Sequence, residues 1–426
     1  MASESTAEQA LTALARRGFA KARVVLSETD HHELSAEFGH LSLLRTNHNA
    51  TLSLAGIVDD KQGSISINKC TPHDVERAVD DLWEVARGSR PDPANDIAEA
   101  QPRATFARGP AQPDRNAMFD RLAEVLDHAS TKYPTLKVGQ STLSYYDRRS
   151  RFLNSNGVDF TTRRGSYGAS LMFTAKDGAD VSSFNYTGFA LEKLDKPLAN
   201  CGTTDELLRQ TTEQVRTQRI PEKFVGELLI TPDCLEDFLS FLLQSVSDVP
   251  LISGTSLYKG KVGAPVAAEA LTVTSRPTDL IGGHFLTGDG YVAENTPLIE
   301  RGVLKSYLLS LYGARKTGLP RARTGGGCLV VDGGQRSRDA MLRDVKRGVL
   351  ITRFSGGRPN DKGDFSGVAK NSYYIENGVV RYPIAETMVS GNMAKLLENV
   401  VEVSRERAEF GYATLPWMRV REIGIS

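Results

Sequence analysis

Neither His-Glu-x-x-His nor His-Glu-x-x-x-His occurs anywhere in the 426 residues, so the helical spacing that sets two imidazoles around zinc is missing. There is no Gly-x-Ser-x-Gly elbow to present a nucleophilic serine. Cysteine is scarce: Cys70, Cys201, Cys234 and Cys328 lie far apart without a Cys-x-x-Cys pair, which excludes a zinc ribbon or dithiol redox centre and leaves reduced thiols. No run of 18 apolar residues is present to cross a membrane as a helix. Met1 to Thr12 carries Glu4 and Glu8 and lacks a basic segment ahead of an apolar core, so it does not read as a signal peptide. Lys plus Arg and Asp plus Glu both number 52, with no long basic run to track a phosphate backbone, and direct nucleic-acid binding is not expected. Together these absences predict a soluble, cytoplasmic protein.

What is present is enough apolar residue, 40 %, to bury sizeable cores, and the length predicts two domains. Ala7 to Arg17 has helical spacing and stops at Gly18. Alternating runs at 22–26, 41–45, 52–58 and 64–68 predict an antiparallel meander. Thr71-Pro72 reads as an N-cap and first-turn proline for a helix with Val75, Val79, Leu82 and Val85 on its apolar face. Five prolines between Arg90 and Asp114 predict an irregular surface connector at 90–113. A helix over 114–129, strands over 136–146 and 169–173, and a polar-faced helix over 204–217 follow. The expected class is α+β: an N-terminal α/β-sheet domain over residues 1–220, then a mostly antiparallel, barrel-like β domain over 221–426. In the second domain Thr231-Pro232 opens a broadly apolar helix through Val246, and beyond it only 339–347 and 393–400 look helical.

Phe354 to Val400 holds the densest local signals: Gly356-Gly357, Gly363-Asp364-Phe365-Ser366, Tyr374-Ile375-Glu376-Asn377-Gly378, Pro383-Ile384 and Ser390-Gly391-Asn392. Asn377-Gly378 between β-rich runs predicts a hairpin, because a type I′ turn needs positive φ at both central residues. Glu376 reads as an exposed strand or turn residue. In this order the pieces resemble the C-terminal signature of the TldD/PmbA family, the modulators of DNA gyrase or TldD/TldE peptidases, closer to the PmbA (TldE) branch. The likeness also takes in the Leu153-Asn154-Ser155-Asn156-Gly157 turn and Val225 to Pro232, and so covers most of the chain.

In the TldD branch, the helix corresponding to 232–246 carries His-Glu-x-x-x-His, and a glycine-rich segment near the C-terminus adds a cysteine ligand. Here Phe238 to Asp248 contains no histidine, and Glu409 to Pro416 no cysteine. The resemblance therefore implies a metallopeptidase-related subunit with no catalytic, cofactor-binding or metal-ligating residue of its own. Zinc is expected on a TldD-like partner, in a heterodimer or larger assembly that cleaves unfolded or small peptides and trims peptide precursors; a homodimer remains open. The alternative is a stand-alone protein of the same fold, acting as a metal-independent hydrolase or a peptide-binding module.

Gly363, Asp364, Phe365 and Ser366 are the candidate cleft or partner-surface residues. Asp364 either anchors a peptide or partner or caps a turn, and Phe365 is either an apolar anchor or core. Asn377 and Gly378 are assigned to the structural turn. His31, His32 and His40 form the one histidine cluster, but neighbours on a strand face opposite ways, so a solvated hairpin is the plainer reading. Gly254 to Lys261 has glycines one residue too far apart for a phosphate loop, with Val262 where a hydroxyl is required. Cys328 has no neighbouring histidine to activate it and reads as a structural thiol.

Overall fold

The computed structural model describes residues 4–426; the first three residues of the Met1 to Thr12 stretch lie outside the described residues. Helices α1 (Glu4–Arg17), α2 (Pro72–Gly88), α3 (Arg115–Lys132) and α4 (Thr204–Glu213) accompany a first sheet. That sheet comprises β1 (Lys21–Glu37), β2 (His40–Val58), β3 (Lys61–Ile67), β4 (Ala104–Arg108), β5 (Leu136–Asn154), β6 (Asp159–Asp177), β7 (Asp180–Val181) and β8 (Asn185–Leu191). Its order is β3-β2-β1-β5-β6-β4, with β7 and β8 also on β6. The runs at 41–45 and 52–58 are one strand of 19 residues, β2, which pairs with β1 from His40 to Ile57 with one irregularity near Ser35. Nor is the 90–113 segment wholly irregular. Between Pro102 and Pro110 the residues of β4 keep their amide hydrogens and pair in parallel with β6.

Alternation along the strands decides what each face does. Val24 and Leu26 of β1, with Leu52 and Leu54 of β2, pack against Ala10 and Leu14 of α1 and Val79 and Leu82 of α2. Farther along the same face, Leu34, Leu143 and Tyr145 pack against Met118, Leu122 and Val125 of α3. The helix caps fall where local sequence places them: Thr71 Oγ1 accepts from the Asp74 amide at 3.2 Å, and Asp114 Oδ1 from the Ala117 amide at 2.9 Å. On α2 the buried stripe is Val75, Ala78, Val79, Leu82 and Ala86, whereas Val85 is exposed.

The second sheet comprises β9 (Phe224–Ile230), β10 (Val273–Ser275), β11 (Thr296–Glu300), β12 (Val303–Leu304), β13 (Leu329–Val331), β14 (Arg347–Ile351), β15 (Arg353–Gly356), β16 (Asp364–Lys370), β17 (Tyr373–Glu376), β18 (Val379–Pro383), β19 (Thr387–Asn392), β20 (Val400–Glu409) and β21 (Thr414–Ile425). Its main path is β12-β11-β10-β13-β21-β9-β14-β17-β18, and β19, with β16 and β15 beyond it, branches from β21. Most pairings are antiparallel; β9 with β14 and β13 with β21 are parallel. The mixed α and β architecture is the expected class. Helices α5 (Pro232–Ser245), α6 (Asp248–Ser253), α7 (Leu311–Thr317), α8 (Arg338–Arg343) and α9 (Met393–Glu398) complete the chain. Two of these, α6 and α7, have no signal in the sequence, being too short to show a period. Helix α8 is shorter than 339–347 because Arg347 already begins β14. A continuous apolar cluster joins Leu122 and Phe173 to Phe238, Val349 and Ile423, so the core runs from one sheet to the other. No helix among the described residues is long and apolar enough to cross a membrane.

Candidate functional site

Helix α5 is the centre of the candidate site. Thr231 stands at its N-cap with φ −76° and ψ 160°, and Pro232 follows at the first helical position, where the missing amide costs nothing. The Thr231 hydroxyl caps nothing: it is buried without a partner. Phe238 and Leu239 are 0 % exposed and Leu242 is 1 % exposed. Phe238 packs on Phe354 of β15, centroids 5.1 Å apart, and both rings meet Phe365 of β16 edge-on. The glycine-rich signature and the α5 helix, far apart in sequence, therefore share one aromatic cluster.

This packing sorts the four candidate residues. Gly363 has φ +87°, and a Cβ there would lie 3.2 Å from the Phe241 ring. Phe365 is 5 % exposed and belongs to the core, so it is not a surface anchor; its strand position turns it toward α5. Asp364 and Ser366, on the opposite face of β16, are exposed. The Asp364 carboxylate accepts from the Asn392 side-chain amide at 2.8 Å, and this hydrogen bond, first among its causes, holds its pKa below the ordinary range. Asn392 in turn caps α9 through Oδ1 at 3.1 Å from the Ala394 amide. This exposed carboxylate–amide contact thus adds a side-chain tie to the antiparallel pairing of β16 with β19.

Asn377 and Gly378 have φ 50° and 75° and join β17 to β18. A Cβ on Gly378 would lie 2.4 Å from the Arg343 carbonyl oxygen, since the Gly378 and Asn377 amides donate to Val345 and Lys346. The hairpin pairs with β14, apart from β15, β16 and β19. Glu376 beside the turn is half-buried and faces Arg381 at 3.7 Å.

His31 stacks on Tyr146 with centroids 4.4 Å apart and reaches the Ser144 hydroxyl at 3.0 Å. His32, on the opposite face, reaches the Thr46 hydroxyl at 3.0 Å, and His40 is exposed at the start of β2. Among the described residues, no three or more His, Cys, Asp or Glu side chains are grouped so as to hold a metal ion. Gly254 to Lys261 follows α6 and leads into turns, without the helix on which a phosphate loop depends. Burial pushes the Cys328 thiol up, away from the reactive thiolate.

Residues 225–426 match the family described as PmbA/TldA metallopeptidase C-terminal domain. The chain is 24 % identical over 428 residues to Metalloprotease PmbA of Escherichia coli O157:H7, covering 94 % of this chain and 92 % of that one. Its C-terminal part thus carries the PmbA/TldA domain, and along its length the chain is similar to proteins of the TldD/PmbA family. It is also 30 % identical over 286 residues to a Metalloprotease of Methanothermobacter thermautotrophicus, 62 % of each chain. Its fold matches that of TldE from Thermococcus kodakarensis with a TM-score of 0.84 at 20 % identity, over 99 % of this chain and 100 % of that one. A peptidase-related function follows at this level.

The zinc of the family's TldD branch does not fit the α5 helix of this chain. Phe238, Leu239 and Leu242 turn phenyl and alkyl carbon inward with no lone pair to donate, and Cys234, the one thiol buried on the helix, has no cluster of metal-ligating side chains around it among the described residues. Polar chemistry lies instead at the N-terminus of α5, and sequence reading missed it. Asp233 accepts the Thr203 hydroxyl at 2.6 Å, and burial pushes its carboxyl up to about 6 despite that bond. Glu236, one turn on, is also raised by burial and then by Asp237. Arg353 stands nearby but is spent on Asn185 Oδ1 at 3.0 Å and on the face of Tyr186, 3.4 Å away. The cavity among these groups measures about 60 Å³, room for one or two waters and no peptide.

Proposed function

We propose that this chain is the non-catalytic, PmbA/TldE-like subunit of a two-chain peptidase of the TldD/TldE type, which cleaves unfolded or small peptides. In this reading zinc and the water it activates sit on a TldD-like partner, and this chain encloses the peptide between subunits. One observation carries it: α5 presents Phe238, Leu239 and Leu242 to a dry core, where the metal-bearing branch of the family has imidazoles. Asp364 and Ser366 are the proposed contributors to the shared cleft, being exposed on β16 next to the α5 cluster. The test is co-expression with a TldD-like chain carrying an intact His-Glu-x-x-x-His, followed by size-exclusion chromatography, metal analysis and a casein-peptide assay. Co-elution, zinc on the partner and activity only in the complex are expected. A chain that stays apart from the partner while cleaving peptides in chelator would instead be the stand-alone hydrolase.

A further inference from the structure

Two adjacent arginines on β5 have opposite surroundings. Arg149 faces the helix-covered side and is paired with Asp30 and, at 3.6 Å, Asp147. On that same face Arg163 pairs with Asp147 at 2.9 Å and Arg151 with Asp159 at 3.1 Å. Arg148 points the other way. In register it lies between Thr29 of β1 and Arg164 of β6, and Arg164 in turn lies opposite Arg108 of β4. Three like charges thus occupy neighbouring positions across three strands, an arrangement that destabilises a sheet when nothing compensates it.

Only one of the three has a carboxylate. Glu192 takes Arg108 at 3.1 Å, and no ion pair joins Arg148 or Arg164 to any described residue. Arg148 has one weak contact, to the Ser166 hydroxyl at 3.4 Å, and lies 4.1 Å over the Tyr146 ring. Arg164 is 7 % exposed; its Nη1 donates to the Ile281 carbonyl at 3.0 Å, and its Nη2 is buried without a partner. Burial, and then Arg108, pushes this guanidinium down to about 10, the direction for a cation lacking an anion.

Arg148 and Arg164 line a cavity of about 290 Å³ between this face and the Gly283–Leu286 loop, and the ion-paired Arg149 lies in the same lining. His284 lines it too, with Nε2 buried and unpartnered, and Thr29 and Thr162 add hydroxyls. Glu28 is the one carboxylate in the lining; its Oε1 is buried without a hydrogen-bond partner, and it forms no ion pair with Arg148 or Arg164. The loop is a fixed wall: Phe285 stacks on Phe106 with centroids 5.5 Å apart and lies under Arg164 at 4.4 Å, and the His284 amide donates to Pro277. A rigid cavity with two uncompensated guanidiniums is preorganised for a planar oxyanion that accepts from both.

We propose that this cavity is a carboxylate-binding subsite that takes the free C-terminal carboxylate, or an Asp or Glu side chain, of a peptide, with Arg148 and Arg164 as its two anchors. The choice of carboxylate among oxyanions rests on the peptidase-related reading above; the anion site rests on the arginine row alone.

The test is calorimetric titration of the isolated full-length chain with an acetylated trialanine acid, the matching trialanine amide, an acetylated Ala-Glu amide and sodium phosphate. The acid and the Ala-Glu amide should bind, the trialanine amide at least tenfold more weakly, and added salt should weaken binding. Arg148→Gln and Arg164→Gln should each lose at least tenfold toward the acid, with thermal melts reporting folding. Arg148 is exposed, so its variant decides even where Arg164→Gln is unstable. Equal affinity for trialanine acid and amide, wild-type binding by Arg148→Gln, or phosphate binding without peptide binding would each overturn the proposal. Because the measurement needs neither metal nor partner, it fails independently of the subunit reading: binding by a chain that never assembles with a TldD-like partner leaves the subsite standing and removes the subunit.

Discussion

The ring of Phe238 on α5 meets the ring of Phe365 on β16 edge to face, with centroids 6.0 Å apart and planes at 83°. Through this contact the family's glycine-rich signature becomes part of the wall of a helix that, in the metal-bearing branch, holds zinc. The signature glycines serve that approach: Gly363 sits against Phe241, and Gly391 against Phe365 itself.

Replacing Phe365 with Ala removes a buried ring from a three-ring cluster and should cost roughly 3 to 5 kcal/mol. Denaturant unfolding of the variant should show a lower midpoint at unchanged slope. An unchanged midpoint would place the ring outside the core.

Asp364→Asn keeps the shape of an exposed side chain and its contact with Asn392, so its melt should match wild type within about 0.5 kcal/mol. Peptide turnover by the reconstituted two-chain complex should nevertheless fall, while both chains still co-elute. Full turnover removes Asp364 from the cleft and leaves it as the tie between β16 and α9.

Gly378→Val forces a β-branched residue to φ 75° and drives its Cβ onto the Arg343 carbonyl. The expected loss is above about 2 kcal/mol, because backbone strain and steric clash add. Gly378→Ala should be milder, and a melt indifferent to both would mean that the turn relaxes freely.

Purified without a partner, the chain should contain far less than one zinc per molecule and cleave neither casein peptides nor a denatured small protein. Elemental analysis and the same assay in chelator check this. About one zinc per chain that survives brief chelation would reopen His31, His32 and His40 as ligands.

Asp233 gives a pH signature. Its carboxyl, raised to about 6 in the folded state, keeps its proton where the unfolded chain has lost it. Its contribution to stability is therefore complete below about pH 4 and is lost as pH rises through about 6. Asp233→Asn removes the titration while still accepting from Thr203. Relative to wild type the variant should gain stability above pH 6 and show no such gain below pH 4, in parallel melts across that window. A constant offset at all pH values would mean that Asp233 titrates normally.

Features set within a few residues are legible in the linear chain. Thr71-Pro72, Asp114 and Pro232 mark where helices start, because caps and first-turn prolines act on their own backbone. Asn377-Gly378 marks a hairpin because the turn requires positive φ there. The lack of imidazoles on α5 needs only the spacing of one helix. What the order of residues leaves open is what each strand residue faces. Phe365 and Asp364 are neighbours in sequence, and only the seating of β16 on α5 sends one into the core and the other to solvent. Arg148 and Arg149 are alike as residues and each lies opposite an arginine of β6, yet Arg149 meets two aspartates and Arg148 has no ion pair with any described residue. That difference comes from the register of β1, β4, β5 and β6, strands brought together over long separations in the chain, and from the Gly283–Leu286 loop that crosses them. Alternation tells that two neighbours part company; only packing over the whole fold decides which of them is left without a counter-charge.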